Sequence, residues 1–131
     1  MTKRFFIKVE LNKEAKEIKV FSVESPEDVD SNLDFFYEHV ADLVDFARFG
    51  VDDYENDVVA IVDDEGLLKS ENIVYEIRFG EQTRQLAGTL LIGKTERRED
   101  HELYTVGFTG EELLEIYKNK TVEVKAIGLT A

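Results

Sequence analysis

The chain of 131 residues contains no cysteine and a single proline. The lack of cysteine excludes a disulfide framework, a thiol nucleophile and a thiolate zinc site, and it is compatible with a reducing, cytoplasmic location. Long apolar runs are lacking as well, because the run from Phe5 to Ile7 ends at Lys8, far short of a signal-peptide core or a membrane span. We therefore expect a soluble cytoplasmic protein with one domain over residues 1–131.

Basic residues are almost missing from one third of the chain. Between Glu24 and Glu65 there are fifteen Asp or Glu residues, and Arg48 is the only Lys or Arg. The rest of the chain holds fourteen acids and fifteen bases, so this acidic segment accounts for the formal net charge of −13. A chain with this balance lacks the basic footprint that DNA, RNA or an anionic membrane requires, and we expect no direct binding to any of them.

The acidic segment carries the pattern of one long helix. Ser25 suits the N-cap, Pro26 suits the first helical position and Gly50 suits the stop. Between them, apolar residues recur at spacings of three and four, which predicts a helix buried along one face. The residues of this stripe are Val29, Leu33, Phe36, Val40, Leu43, Val44 and Ala47.

Acidic residues follow the opposite side of the predicted helix, most of them four positions apart. They are Asp30, Asp34, Glu38, Asp42 and Asp45. At a rise of about 1.5 Å per residue these charges would stack about 6 Å apart, which weakens a helix and is comparable with the charge repeat of a nucleic-acid strand. We therefore interpret them as partner-binding residues that imitate nucleic acid and occupy a basic groove on a nuclease or other DNA-binding protein.

Two other interpretations of the acidic residues stay open. The row can be a solvated face that binds nothing. Alternatively, carboxylates near residues 63–84, with Arg78 or Arg84 as an anion clamp, form a ligand-binding or enzymatic site, although no pair of groups has the spacing that a reaction requires. An enclosed pocket would favour the enzyme, and a convex acidic face would favour the inhibitor.

Motifs for catalysis and metal binding are missing from the sequence. The acids at 52–57 and 63–65 do not follow the twelve-residue pattern of a calcium loop. His39 and His101 have no second His or Cys nearby, so surface histidines are a better interpretation than metal ligands or acid–base groups. We predict a non-enzymatic protein without catalytic residues, metal or cofactor.

The remainder of the chain favours strands over helices. Strands are predicted over residues 5–11, 18–23, 58–62, 86–92, 103–108 and 121–127. Residues 73–79 suit either a strand or a short helix, and residues 93–102 are predicted to be a polar loop. Thr109 followed by Glu112 forms a capping box that opens a second helix. The predicted class is α+β, a mainly antiparallel sheet of five to six strands with two helices packed on it.

Residues 58–117 carry a set of short motifs. They are D-D-E-G-L-L at 63–68, Asn72, A-G-T-L-L-I-G at 87–93 and G-F-T-G-E-E-L at 107–113. This pattern resembles an uncharacterised domain family of bacteriophages and other mobile elements. The resemblance implies a mobile-element origin and no chemistry. In that setting the expected partner is the basic surface of a host-defence protein, whereas an exposed apolar stripe would indicate a homodimer interface.

Overall fold

The computed structural model describes residues 3–12, 17–26, 32–49, 57–65 and 73–129. Within these ranges the chain forms ten strands and two helices. In chain order they are β1 (Arg4–Asn12), β2 (Glu17–Glu24), α1 (Asn32–His39), β3 (Val44–Arg48), β4 (Val58–Asp63), β5 (Ile73–Phe79), β6 (Gln82–Ala87), β7 (Leu90–Arg97), β8 (Leu103–Val106), β9 (Phe108–Thr109), α2 (Gly110–Lys118) and β10 (Val122–Leu129).

The strands form two sheets in which every described pair is antiparallel. The large sheet has the order β2-β1-β7-β4-β3, with β8 paired to β7 and β9 paired to β1. The small sheet has the order β10-β5-β6. The predicted α+β class with a mainly antiparallel arrangement is confirmed. The predicted count of five to six strands is too low.

The large sheet is the middle layer, and its strands bury side chains on both faces. Along β1, Ile7 and Val9 point into a core shared with the small sheet and α2, while Phe6 points to the opposite face and packs under α1. The predicted strand at 58–62 is confirmed as β4, and it too is covered on both sides: Ala60 joins the first core and Ile61 the second. This double burial explains its uninterrupted apolar sequence.

The prediction of one long helix in the acidic segment is wrong beyond His39. Helix α1 ends there, and residues 44–48 form β3, which pairs with β4 from Val44 opposite Asp63 to Arg48 opposite Val59. In this segment Val44 and Phe46 are spaced two apart, as one face of a strand requires, whereas Val44 and Ala47 fit the helical stripe. Pairing with β4 satisfies backbone N–H and C=O groups of β4 that a longer helix would leave exposed.

The predicted start of that helix, with Ser25 as N-cap, adjoins residues outside the described ranges and stays a prediction. The backbone N–H of Ser25 donates to the carbonyl oxygen of Arg4 over 2.9 Å, which prolongs the β1–β2 ladder by one residue. Residues 27–31, which include Val29 and Asp30, lie outside the described residues. The hairpin predicted at the N-terminus is confirmed as β1 and β2.

Residues 73–102 resolve one open alternative and differ from the prediction in two places. Residues 73–79 are a strand, β5. The strand predicted over 86–92 is divided at Gly88, whose φ of +80° suits a turn and whose N–H donates to the carbonyl oxygen of Ile73. The first half of the predicted loop at 93–102 is strand, since β7 continues to Arg97 and pairs with β8.

The second helix begins as predicted. Thr109 Oγ1 accepts a hydrogen bond from the N–H of Glu112 over 3.2 Å, and Glu112 Oε1 accepts one from the N–H of Thr109 over 2.9 Å, which completes the capping box. Leu113 and Ile116 are the buried residues of α2. Neither this helix nor α1, the two helices of the described residues, is long and apolar enough to cross a membrane.

Candidate protein-interaction surface

Helix α1 is held on the large sheet by aromatic packing. It has eight residues, too few to be stable alone, so its position depends on tertiary contacts. Phe36 is buried, and its ring meets that of Phe6 edge-on with the centroids 5.3 Å apart. At the start of the helix, Asn32 Nδ2 donates to the carbonyl oxygen of Thr105 on β8 over 3.0 Å. These contacts fix which sides of α1 face the solvent.

Four large apolar side chains remain exposed around the seam between α1 and β3. Leu33 and Tyr37 lie on α1, Leu43 lies in the connection and Phe46 lies on β3, and their exposed fractions run from 38% to 58%. The buried Phe36 joins the two elements, since its ring centroid is 6.0 Å from that of Phe46. Single exposed apolar residues are ordinary, but several around one seam are a candidate binding surface. We call these four exposed residues the apolar patch.

The rotation of α1 places its exposed apolar residues on the side of β3. His39 lies on the side of β1, where Lys8 Nζ is 3.3 Å from His39 Nδ1, and Phe36 faces the sheet between Phe6 of β1 and Phe46 of β3. Successive helical residues are rotated by about 100°, so Leu33 and Tyr37 lie further round in the direction of β3. The helical and strand members of the patch therefore share one region of the surface.

Exposed carboxylates accompany the apolar patch. They are Asp34 and Glu38 on α1, Asp42 in the connection, Asp45 on β3, and Asp64 and Glu65 after β4. Leu43 lies against the last group, because its carbonyl oxygen accepts a hydrogen bond from the N–H of Asp64 over 3.1 Å. Among the described residues of the acidic segment the only base is Arg48, and its Nε is 2.5 Å from Oδ2 of the buried Asp57. The face as a whole is therefore strongly negative.

The regular row of carboxylates predicted from the sequence does not form. Asp34 and Glu38 are one turn apart on α1, but Asp42 lies past the end of the helix. Asp45 lies on β3, on the opposite face of the strand from Val44 and Phe46. Among the described carboxylates of the row, the repeat of about 6 Å therefore holds only for Asp34 and Glu38. Asp30, the first predicted member, lies outside the described residues.

The groups of the alternative ligand site lie apart. Arg84 Nε donates to the carbonyl oxygen of Arg48 over 2.7 Å. Arg48 is opposite Val59, four residues along β4 from Asp63, which is about 13 Å at about 3.3 Å per residue. Arg78 is bound on the small sheet to a carboxylate of β10, with an N–O distance of 3.0 Å. In this part of the described chain, the turn carboxylates and the two arginines share no site.

His39 is more enclosed than the surface histidine predicted from the sequence. Its ring centroid is 4.3 Å from that of Phe35. Burial lowers the pKa of His39 and the ammonium of Lys8 lowers it further, against the opposing effect of Glu38 and Glu10. Neutral His39 can then accept a hydrogen bond from Lys8. Across the described ranges, no group of three or more His, Asp or Glu side chains is placed to hold a metal ion.

An open cleft of about 310 Å³ lies where α2 meets the two sheets. Phe79 and Phe108 line it with stacked rings, whose centroids are 6.0 Å apart. Lys94 Nζ lies 2.7 Å from Glu112 Oε2 at the side of the cleft. Burial acts to raise the pKa of Glu112, but hydrogen bonds from Lys94 and Thr109 outweigh it and lower that pKa. These polar groups bind one another and cap α2, so their arrangement is explained by the fold.

The apolar patch is not predicted from the sequence, because Leu33 and Leu43 fit the buried stripe of the predicted long helix. The signal for a strand is the pair Val44 and Phe46, two apolar residues separated by the charged Asp45, since this spacing of two is typical of one face of a strand. Once β3 is recognised, Leu43 falls in a connection and Phe46 on an edge strand. Connections and edge strands are commonly exposed, and several large apolar side chains exposed together at such positions indicate an interface.

Comparison of the chain with protein-family models, curated proteins and solved structures found no match. The resemblance to a phage and mobile-element domain family stays a prediction.

Proposed function

We propose that this chain is a non-enzymatic binding protein that docks a basic surface of another protein on the face formed by α1, the following connection and β3. The observation that supports the proposal most directly is the apolar patch accompanied by carboxylates. Exposed apolar surface with polar surroundings is typical of protein-binding sites, and a negative field favours a positively charged partner. Nucleic acid and anionic lipid carry the wrong charge for this face.

Two aromatic residues are the expected anchors of the interface. Tyr37 and Phe46 are 38% and 43% exposed, and both are attached to ordered elements. Aromatic side chains that become buried at the centre of an interface dominate binding energy, whereas charges at its rim act mainly on the association rate. The apolar patch would thus supply most of the affinity and the carboxylates most of the selectivity.

We further propose that the partner's basic surface is a nucleic-acid groove of a nuclease or other DNA-binding protein in the cytoplasm. The acidic face would then act as an inhibitor by occupying the groove, in keeping with the mobile-element origin that the sequence resemblance implies. Imitation of nucleic acid would rest on the density of carboxylates and not on a regular four-residue row. Nucleic acid should therefore compete with this protein for its partner.

The experiment is affinity capture from a bacterial lysate at low salt, followed by kinetics with the purified partner. A charge variant carries Asp34→Asn, Glu38→Gln and Asp42→Asn. We expect it to associate with the partner roughly tenfold more slowly at low salt, because rim charges steer the encounter. An anchor variant, Phe46→Ala, should instead dissociate faster and bind roughly 30-fold more weakly, the effect of removing about 2 kcal/mol from a hot spot.

A matched control carries Glu81→Gln, Glu99→Gln and Glu115→Gln. It changes the net charge by the same amount at exposed positions on other elements. If the control and the charge variant slow association equally, the acidic face acts only through net charge and not as a binding surface. Loss of stability in the charge variant would assign these carboxylates to the fold.

A further inference from the structure

Strand β3 is one end of the large sheet, and its hydrogen-bonding pattern can be read from its neighbours. The carbonyl oxygen of Leu43 accepts from Asp64, and the N–H of Phe49 donates to Val58. Antiparallel pairs alternate between bonded and non-bonded positions, so Asp45 and Ala47 also bond to β4. The backbone groups of the intervening residues must point away from the sheet. These residues are Val44, Phe46 and Arg48.

Two of these outward groups are covered by side chains. The carbonyl oxygen of Arg48 accepts a hydrogen bond from Arg84 Nε over 2.7 Å, and the N–H of Phe46 donates to Asp45 Oδ1 over 2.9 Å. Both contacts agree with the alternation. Among the described residues, no hydrogen bond reaches the outward groups of Val44 or the carbonyl oxygen of Phe46. Within the described part of the chain, the first half of the β3 edge is thus open to another strand.

The side chains along this edge define what such a strand would carry. On the α1 face, Phe46 is 43% exposed and belongs to the apolar patch. On the other face, Asp45 is exposed and negatively charged. Side chains of neighbouring strands pair on the same face, so a complementary strand would alternate apolar residues with Lys or Arg.

We propose that β3 binds an extended basic segment of the partner by strand addition, with apolar side chains against Phe46 and a Lys or Arg against Asp45. This inference rests on the proposed function and specifies its mode of binding. Pairing of Asp45 with the partner's cation would release the N–H of Phe46, which then bonds to the added strand. A second copy of this chain fits poorly for two reasons. Arg48, the one base of β3, lies on the opposite face of the strand from Asp45, and each copy carries a net charge of −13.

The test uses a synthetic peptide of about seven residues in which valine and lysine alternate, with blocked ends. A control peptide has the same composition in two blocks, valines first and lysines after. Binding is measured by fluorescence anisotropy at low salt. We expect the alternating peptide to bind more tightly than the block peptide and to slow amide exchange at Val44 and Phe46.

A proline substitution isolates the backbone contribution. The N–H of Val44 points outward, so Val44→Pro removes a donor to the added strand without removing a bond to β4. The matched control Val44→Ala removes a comparable part of the side chain and keeps the donor. We expect Val44→Pro to bind the alternating peptide about tenfold more weakly than Val44→Ala, the effect of one lost hydrogen bond. Circular dichroism checks that both variants fold.

If Val44→Pro does not fold, an alternating peptide methylated at every second backbone nitrogen replaces it, and one of the two methylation registers should abolish binding. Equal binding of the alternating and block peptides, with no difference between the two Val44 variants, would overturn strand addition and leave the proposed function standing. A dimer that forms through β3 at low salt would overturn the proposal of a basic partner segment, because the added strand would then come from a second copy of this chain. If no basic peptide binds at low salt, strand addition by a basic segment is overturned, whereas the proposed function is decided separately by the captured partner and the charge variant.

Discussion

A substitution at Gly93 tests the packing that holds α1, and with it the binding surface, on the large sheet. A Cβ at this position would lie 2.5 Å from Cε1 of Phe6 and 2.6 Å from the carbonyl oxygen of Val106. The ring of Phe6 is fully buried and carries α1 through its contacts with Phe35 and Phe36. Gly93→Ala must therefore displace either the ring under α1 or the backbone of β8.

The expected cost is large for a single methyl group. Overpacking of a well-packed core typically costs about 1–3 kcal/mol. We expect the upper part of this range, because three atoms would lie within 2.7 Å of the added Cβ: two belong to the fully buried ring of Phe6, and the third is the backbone carbonyl oxygen of Val106. In a chain of this size, about 3 kcal/mol corresponds to a fall in melting temperature of roughly 10 °C.

Urea denaturation followed by circular dichroism gives the free energy of unfolding. Gly110→Ala is the matched control, since no atom lies within 4 Å of a Cβ there and the residue is in the first turn of α2. It should gain up to about 1 kcal/mol. In a Phe6→Leu background, Gly93→Ala should cost less, which measures the coupling with the ring. A Gly93→Ala variant as stable as the wild type would refute the packing described for α1.

Three further predictions concern charge. The lowered pKa of His39 means that the unfolded chain takes up the proton first, so the free energy of unfolding should fall as the pH drops below about 6.5 and level off below the folded-state pKa. His39→Gln should flatten this dependence between pH 7 and 5, and an unchanged dependence in urea denaturation would contradict it. Glu112→Gln should lower the free energy of unfolding by about 1–2 kcal/mol, because Lys94 loses a charged partner, and a variant of wild-type stability in urea would contradict this. Sodium chloride should raise the melting temperature of the isolated protein by screening its net charge of −13, and a fall would show that attractive ion pairs prevail.

The elements that the sequence predicts well are those whose local pattern and tertiary environment agree. The capping box of Thr109 and Glu112 needs only residues three apart, and the strand at 58–62 is apolar because both of its faces are covered. Residues 44–48 are different, since their apolar positions fit a helix and a strand equally well. Their pairing with β4 is a long-range contact that no local rule contains.

The candidate surface was predictable in its charge but not in its geometry. The deficit of Lys and Arg between Glu24 and Glu65 is visible in the sequence, and it places the negative face correctly in the α1–β3 region. Which carboxylates lie side by side depends on where α1 ends. Exposure of Leu43 and Phe46 depends on the same boundary, so one error in secondary structure changed both the acidic row and the apolar patch.

The carboxylates of this face also counteract the self-association that the apolar patch would favour. An edge strand with an exposed Phe46 is a template for pairing with another copy, and proteins protect such edges with charges. Here Asp45 covers one outward group of β3, Arg84 covers another, and the negative face repels its own copy. The charges that would attract a basic strand therefore also prevent self-pairing.

This double role predicts how self-association depends on salt. At low salt the isolated protein should be monomeric, and at about 0.5 M sodium chloride, where the screening length is only about 4 Å, β3-dependent association should appear. Sedimentation velocity distinguishes the two states. Phe46→Ser should abolish the association at high salt, because it removes the apolar contact and leaves the carboxylates in place. Association that is stronger at low salt, or that persists in Phe46→Ser, would show that the carboxylates do not protect this edge.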